Sequence, residues 1–261
     1  MGRCKGIITI KNKIVMTLSQ EQKQNIQIIA NELHKKGITN AYAIAGVLSV
    51  VGKESGFIPK SENLNYSASR LLQVFPSRVK TQAQANALAN KPELIANTIY
   101  GGRYGNLPNE GYKYRGRGFN QITFKSTYKS IGLLIGRDLV SNPDLLNNPQ
   151  IAAEALVAYF MQRIRLYYPK TDVNKFTNTT DSLNVFYNAN AGAVNKHLKD
   201  TTGGYSKAKN TVNDFYNIVA KTVTENKTTT SGGIFFLIVT TIAIVKRKKI
   251  AEWIKKQTNK K

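Results

Sequence analysis

The sequence predicts a mainly α-helical protein whose irregular, glycine-rich loops line a groove. Three observations carry this expectation. Apolar residues recur at helical spacing between capping signals. The stretch from Ala41 to Gly52 is almost wholly apolar, as expected of a domain's buried central helix. The stretch Gly111–Thr123 (GYKYRGRGFNQIT) crowds glycines at 111, 116 and 118 among flat and polar side chains, a pattern of irregular backbone.

Taken in order, the first helix starts at a capping-box pattern, Ser19 with Gln22, and carries Ile26, Ile29, Ala30 and Leu33 at helical spacing before Gly37 ends it. Residues 1–16 before it are basic and lack the apolar run of a signal peptide, and read as a short strand or an arm. The apolar helix Ala41–Gly52 delivers Lys53, Glu54 and Ser55 at its C-terminal end. Ser67 caps a helix over Ala68–Phe75, and Pro92 opens one through Tyr100 that Gly101 and Gly102 end. A helix follows Thr123 to about Ile135, Asn142–Pro149 is a turn-rich connection, and Ile151–Tyr167 is a long helix. Asp181 opens a segment ending in FYNANAGAVNKHL. Tyr205–Val223 closes the domain with Val212, Phe215, Tyr216, Val219 and Val223 on one stripe.

The 261 residues suffice for one substantial domain with appendages or two small ones, and 41% apolar content is normal for a globular core. The net charge of +23, from 38 basic against 15 acidic residues, bears on partners and not on fold. It points to nucleic acid, an anionic membrane face or an anionic polymer such as a bacterial wall. No nucleic-acid-binding motif is present, so a specific nucleic-acid partner ranks lowest. The single cysteine, Cys4, excludes an intrachain disulfide. His34 and His197 have no ligand spacing, so no metal or other cofactor is expected. His34 reads as a last-turn helix residue and His197 as a surface residue.

Within Gly111–Thr123, Tyr112 and Tyr114 offer surfaces on which sugar rings stack, and Arg115 and Arg117 supply rigid donor forks. Gln121 and Thr123, two apart, share one side of an extended segment. Upstream, Glu54 at the exit of a buried helix is half desolvated, which suits a neutral proton donor. Glu62 follows on a polar loop. Two glutamates so placed can face each other across a cleft, and a separation of about 6.5–9.5 Å, with room for a water, defines an inverting glycosidase.

Several stretches resemble glycoside hydrolase family 19, in its branch of bacteriophage endolysins and bacterial chitinase-like lysozymes. These are Glu54-Ser55-Gly56-Phe57, Glu62 to Ala68 (ENLNYSA), Phe75 to Arg78, Asn97 to Asn106 (NTIYGGRYGN), and Tyr114 to Gly118 with Gln121 and Thr123. The resemblance runs from about residue 19 to 222. It implies a lysozyme-like helical fold with a cleft between two lobes and inverting hydrolysis of β-1,4 bonds beside N-acetylated amino sugars. Carried over, Glu54 matches the general acid, Glu62 an ionised general base, and Thr123 the residue that holds the attacking water. Tyr66, Tyr114, Arg117, Gln121 and Asn188 or Asn190 match substrate-binding positions. Departures are Lys53 where histidine is usual, ESGF for ESGGF, and Thr127 for asparagine.

The expected organisation is a basic arm (1–18), a hydrolase domain (19–224), a polar linker (225–231), an apolar segment with a basic flank (232–249) and a basic amphipathic tail (250–261). Gly232–Val245 falls short of the ~20 residues that span a bilayer, but with preceding uncharged residues it reads as a membrane anchor. The expected activity is cleavage of peptidoglycan by a membrane- or virion-associated enzyme. Chitin is the alternative substrate, and a non-catalytic wall-binding or virion structural protein the alternative of another class.

Overall fold

The computed structural model describes residues 18–226. Helices dominate them, in two compact units: among the described residues one comprises 18–57 and 163–226, the other Ile58–Gln162. The mainly α class expected from periodicity is therefore what the described residues show.

The first unit is built on α1 (Gln20–Lys35) and α2 (Ala41–Ser55), with α8 (Thr179–Ala191) and α9 (Gly204–Asn226) packed against α2. The predicted capping box forms: Ser19 Oγ accepts from the Gln22 amide at 3.2 Å, and Gln22 Oε1 accepts from the Ser19 amide at 2.8 Å. Ile26, Ile29, Ala30 and Leu33 are buried, as their spacing required. Asn40 caps α2, whose residues Ala43 to Val51 are all buried, so the apolar run is a core helix. Gly56 and Phe57, both left-handed (φ 59° and 65°), end it. Gln22 Nε2 and Asn25 Nδ2 donate to their carbonyls at 2.8 Å, and the buried Phe57 ring meets Phe215 edge-on at 5.5 Å. The ESGF turn is thus held by α1 from one side and by a ring contact from the other.

Helix α8 starts at Asn178, whose side chain accepts from the Asp181 amide at 2.9 Å. It approaches α2 so closely at Gly46 that an added Cβ would collide with Ser182 Oγ and lie 3.0 Å from the Phe186 ring. Tyr42 of α2 stacks on Tyr216 of α9 with centroids 4.3 Å apart.

In the second unit, α3 (Ala68–Val74), α4 (Gln82–Leu88) and α5 (Pro92–Tyr100) close around Leu64, Leu71, Val79, Ile95 and Ile99. Helix α4 escapes sequence reading because of its residues only Ala85 is buried, leaving no apolar stripe to detect. Helix α6 (Lys125–Ile135) ends at left-handed Gly136. A 3₁₀ turn (Pro143–Asn147) leads into α7 (Pro149–Tyr167).

The expected membrane anchor is corrected. No helix among the described residues is long and apolar enough to cross a membrane. The long ones, α7 and α9, are interrupted by charge, at Glu154, Arg163 and Arg165 in the first and at Lys207, Lys209 and Asp214 in the second. Residues 232–249, on which the anchor and the membrane or virion localisation rested, lie outside the described residues, as do the arm to residue 17 and the tail from 227.

Gly46→Ala should destabilise the chain by about 1–3 kcal/mol, the cost of overpacking a filled core, because Ser182 lies on the facing helix backbone and can retreat little. A melting temperature several degrees lower is expected. An unchanged one would mean that α2 and α8 can separate freely at this point.

Candidate active site

The second unit carries Glu62 on the loop before α3, against the irregular stretch 101–124. That stretch has a single two-way backbone pairing, in which the Arg117 and Ile122 amides each donate to the other's carbonyl at 3.0 and 2.8 Å. Its organiser is Arg117. The guanidinium is almost fully buried and donates to Asp144 Oδ1 at 2.8 Å, to the Lys113 carbonyl at 2.7 Å and to the Tyr128 hydroxyl at 3.0 Å. Tyr128 in turn donates to the Arg115 carbonyl at 2.7 Å, and burial pushes its hydroxyl up to about 12. Tyr114 is also fully buried, its hydroxyl donating to the Val140 carbonyl at 3.2 Å. Tyr114 and Arg117 were both expected to line a groove. Both are instead interior supports of the loop, without surface to offer a sugar.

The loop presents Gly116 to Glu62. The Glu62 amide donates to the Gly116 carbonyl at 2.7 Å, and the Gly116 amide donates to Glu62 Oε2 at 3.3 Å. A Cβ at 116 would stand 2.8 Å from Gln121 Oε1, which would have to shift, and in ordinary contact at 3.4 Å with the Glu62 carboxylate. The Tyr100 hydroxyl, at the end of α5, donates to both carboxylate oxygens at 2.9 and 3.0 Å. Burial pushes the Glu62 carboxyl up, and the Tyr100 and Gly116 hydrogen bonds and the Arg115 charge oppose it. The expectation of a solvated carboxylate is corrected accordingly: desolvation is the largest influence on this group. Tyr66 lies within range of the same charge. Its hydroxyl is raised first by burial and then by Glu62, and its ring meets Phe75 edge-on at 5.5 Å.

Gln121 and Thr123 do not form the expected extended segment. Gln121 is left-handed (φ 55°), its Nε2 donates to the Lys60 and Gly118 carbonyls at 3.0 and 3.1 Å, and Thr123 Oγ1 donates to the Gln121 carbonyl at 3.0 Å. A hydroxyl whose proton is so committed meets a water as an acceptor.

The first unit carries Glu54 in the last turn of α2. Glu54 Oε1 accepts from Lys53 Nζ at 2.8 Å and from Asn190 Nδ2 of α8 at 3.0 Å. Lys53 is itself held: its ammonium lies 5.8 Å from the Tyr187 ring centre, and a Cβ at Gly204 would stand 2.7 Å from its Cε. Of the two asparagines expected here, Asn190 reaches the glutamate. Asn188 is buried and bonded to the Tyr168 hydroxyl at 2.7 Å and to His197, which corrects both the groove role of Asn188 and the surface reading of His197.

Residues 93–165 match the family model for class I chitinases. A glycosyl hydrolase family 19 domain-containing protein of Haemophilus influenzae (strain ATCC 51907 / DSM 11121 / KW20 / Rd) is 39% identical over 138 residues, which is 51% of this chain and 68% of that protein. The chain belongs to glycoside hydrolase family 19. A solved structure of a chitinase C mutant is a remote neighbour, at 16% identity and a TM-score of 0.42 over 83% of this chain and 96% of that one. As a family 19 member the protein is a chitinase-like glycoside hydrolase acting on polysaccharide, which removes the non-catalytic alternative. The matched segment contains Tyr100, Arg117, Gln121 and Thr123, while both glutamates and both asparagines lie outside it.

Sequence reasoning assigned Tyr100 only to a helix end. Its signal was an aromatic residue immediately before Gly101-Gly102 inside a family motif. Tyr100→Phe removes a hydrogen bond that lowers the Glu62 proton affinity, so that affinity should rise further. If Glu62 must be ionised, activity is lost as pH falls through its pKa. The acidic limb of kcat/KM against pH should therefore move to higher pH in this variant. A limb that stays in place would exclude Glu62 as the group titrating there.

Proposed function

We propose that this family 19 hydrolase cleaves β-1,4 bonds between amino sugars of bacterial peptidoglycan with inversion, Glu54 serving as general acid and Glu62 as general base. The observation that carries the reading is the Glu62 carboxylate, desolvated yet held through both oxygens by Tyr100 and by the Gly116 amide. A base so fixed, with raised proton affinity, is suited to take a proton from water. Thr123 Oγ1, its own proton committed to the Gln121 carbonyl, accepts a hydrogen bond from that water and orients it. Glu54 supplies the proton to the leaving oxygen, and Asn190 and Lys53 fix its Oε1. Tyr66 and Gln121 contact the saccharide.

Peptidoglycan is favoured over chitin by the net charge of +23, which concentrates the enzyme on an anionic polymer and gives nothing on a neutral one. Chitin is the second reading, supported by the description of the matched family model. Digestion of purified peptidoglycan and of chitin oligomers, with new ends identified by mass spectrometry and the first-formed anomer by NMR, tests substrate and stereochemistry together. A β product would rule out inversion. Glu54→Gln and Glu62→Gln should each lower turnover by about 10²–10⁴-fold with the fold intact by circular dichroism. Retention of more than roughly a tenth of wild-type turnover in either variant is incompatible with the general acid–base contribution assigned to it.

A further inference from the structure

A run of aromatic rings leads outward from Glu62 within the second unit. The Tyr100 ring, whose hydroxyl holds the carboxylate, meets Phe124 edge-on at 5.5 Å, and Phe124 meets Tyr104 at 4.7 Å. The Arg103 guanidinium lies 5.3 Å from the Phe124 ring centre and 5.4 Å from that of Tyr104. Tyr104 is 64% exposed.

Stability does not account for this arrangement. Tyr104 and Phe124 both have left-handed backbone, φ 44° and 75°, which non-glycine residues adopt rarely and which persists where the surroundings impose it. Here they do: the Phe124 amide donates to the Tyr114 carbonyl at 2.9 Å, and the Tyr104 carbonyl accepts from the Ser126 amide at 3.1 Å. The chain therefore holds an unfavourable conformation in order to leave a large ring in water, where it gains little burial. Arg103 differs from its neighbour Arg117, whose guanidinium is buried on Asp144. It donates to the Ile99 carbonyl at 3.0 Å and has no carboxylate partner among the described residues. A mainly apolar groove of about 800 Å³ adjoins at Gly105 and Ser126, with Lys129, Arg137 and Asp138 among its lining.

We propose that Arg103, Tyr104 and Phe124 form a saccharide subsite beside Glu62 that takes an amino sugar bearing a carboxylate substituent. The C–H face of the sugar stacks on the exposed Tyr104 ring, which Phe124 backs, and the guanidinium fork pairs with the carboxylate. The inference rests on the reading of Glu62 as the catalytic base, and it states how that base would meet peptidoglycan in preference to chitin.

The test measures binding by calorimetry in a Glu54→Gln background, chosen to slow turnover. The ligands are a tetrasaccharide of alternating N-acetylglucosamine and N-acetylmuramic acid, and the neutral N-acetylglucosamine tetramer. Tyr104→Ala should weaken both by about tenfold, and Tyr104→Leu, which keeps apolar volume without a flat face, should do the same. Arg103→Gln should weaken the carboxylate-bearing ligand by about tenfold and the neutral one by less than about twofold. Unchanged affinity in both Tyr104 variants overturns the platform, and equal weakening of both ligands by Arg103→Gln reduces Arg103 to a support of the Ile99 carbonyl. Turnover by the Glu54-intact chain separates the failures. Hydrolysis of both oligomers alongside unchanged binding in the variants sinks the subsite alone. Hydrolysis confined to the neutral oligomer sinks the peptidoglycan preference and the Arg103 role with it, and no hydrolysis of either sinks the reading of Glu62.

Discussion

A guanidinium withdrawn from water must have its donors met, and in the second unit that requirement shapes the loop on which Glu62 depends. Arg117 gathers the Lys113 carbonyl, the Tyr128 hydroxyl and Asp144 around one plane. Tyr128 then captures the Arg115 carbonyl, which fixes the backbone on both sides of Gly116. Asp144 is largely exposed, so the ion pair itself is screened and contributes modestly. The constraint comes from the buried side of the guanidinium, where the bonds to the Lys113 carbonyl and the Tyr128 hydroxyl determine how residues 113–117 run. Gly116 then meets Glu62 through its backbone carbonyl and amide, with Gln121 Oε1 packed where a Cβ would stand.

The two glutamates are prepared in different ways. Glu62 is surrounded by a phenol, a backbone amide and low-dielectric protein, so its charge is stabilised by short-range dipoles against a desolvation cost. Glu54 sits at the end of a rigid apolar helix and is held by a neighbouring cation and an amide donor. Lys53, which departs from the family's usual histidine, is no loose substitution. The glycine at 204 makes room for its stem, and Tyr187, whose hydroxyl is tied to Asp200 at 3.0 Å, lies under its ammonium.

The aromatic residues divide along the same lines. Tyr114 and Tyr128 are fully buried and meet edge-to-face at 5.5 Å, which makes them part of the loop's foundation. Tyr100 bridges interior and site, with its ring against Phe124 and its hydroxyl on Glu62. Tyr104 faces solvent. One family motif, NTIYGGRYGN, thus supplies both the residue that holds Glu62 and an exposed aromatic ring.

Where the backbone is regular, the sequence by itself determined the outcome. The Ser19–Gln22 box, the apolar helix that ends in Glu54, the Pro92 start and the stripe on α9 follow from periodicity and capping, which depend on neighbours within a few residues. Motif likeness named the glutamates, Gln121 and Thr123. Only the tertiary structure decided the direction of side chains in the irregular stretch 101–124. Left-handed residues at 121 and 124 break the alternation that an extended reading of Gln121 and Thr123 assumes, and Tyr114 and Arg117 are buried although their types suit a sugar site. The choice of Asn190 over Asn188 likewise rests on which faces of α8 meet Glu54 and Tyr168. Tyr100 reaches Glu62 across 38 positions of chain, and no local pattern encodes a contact of that range.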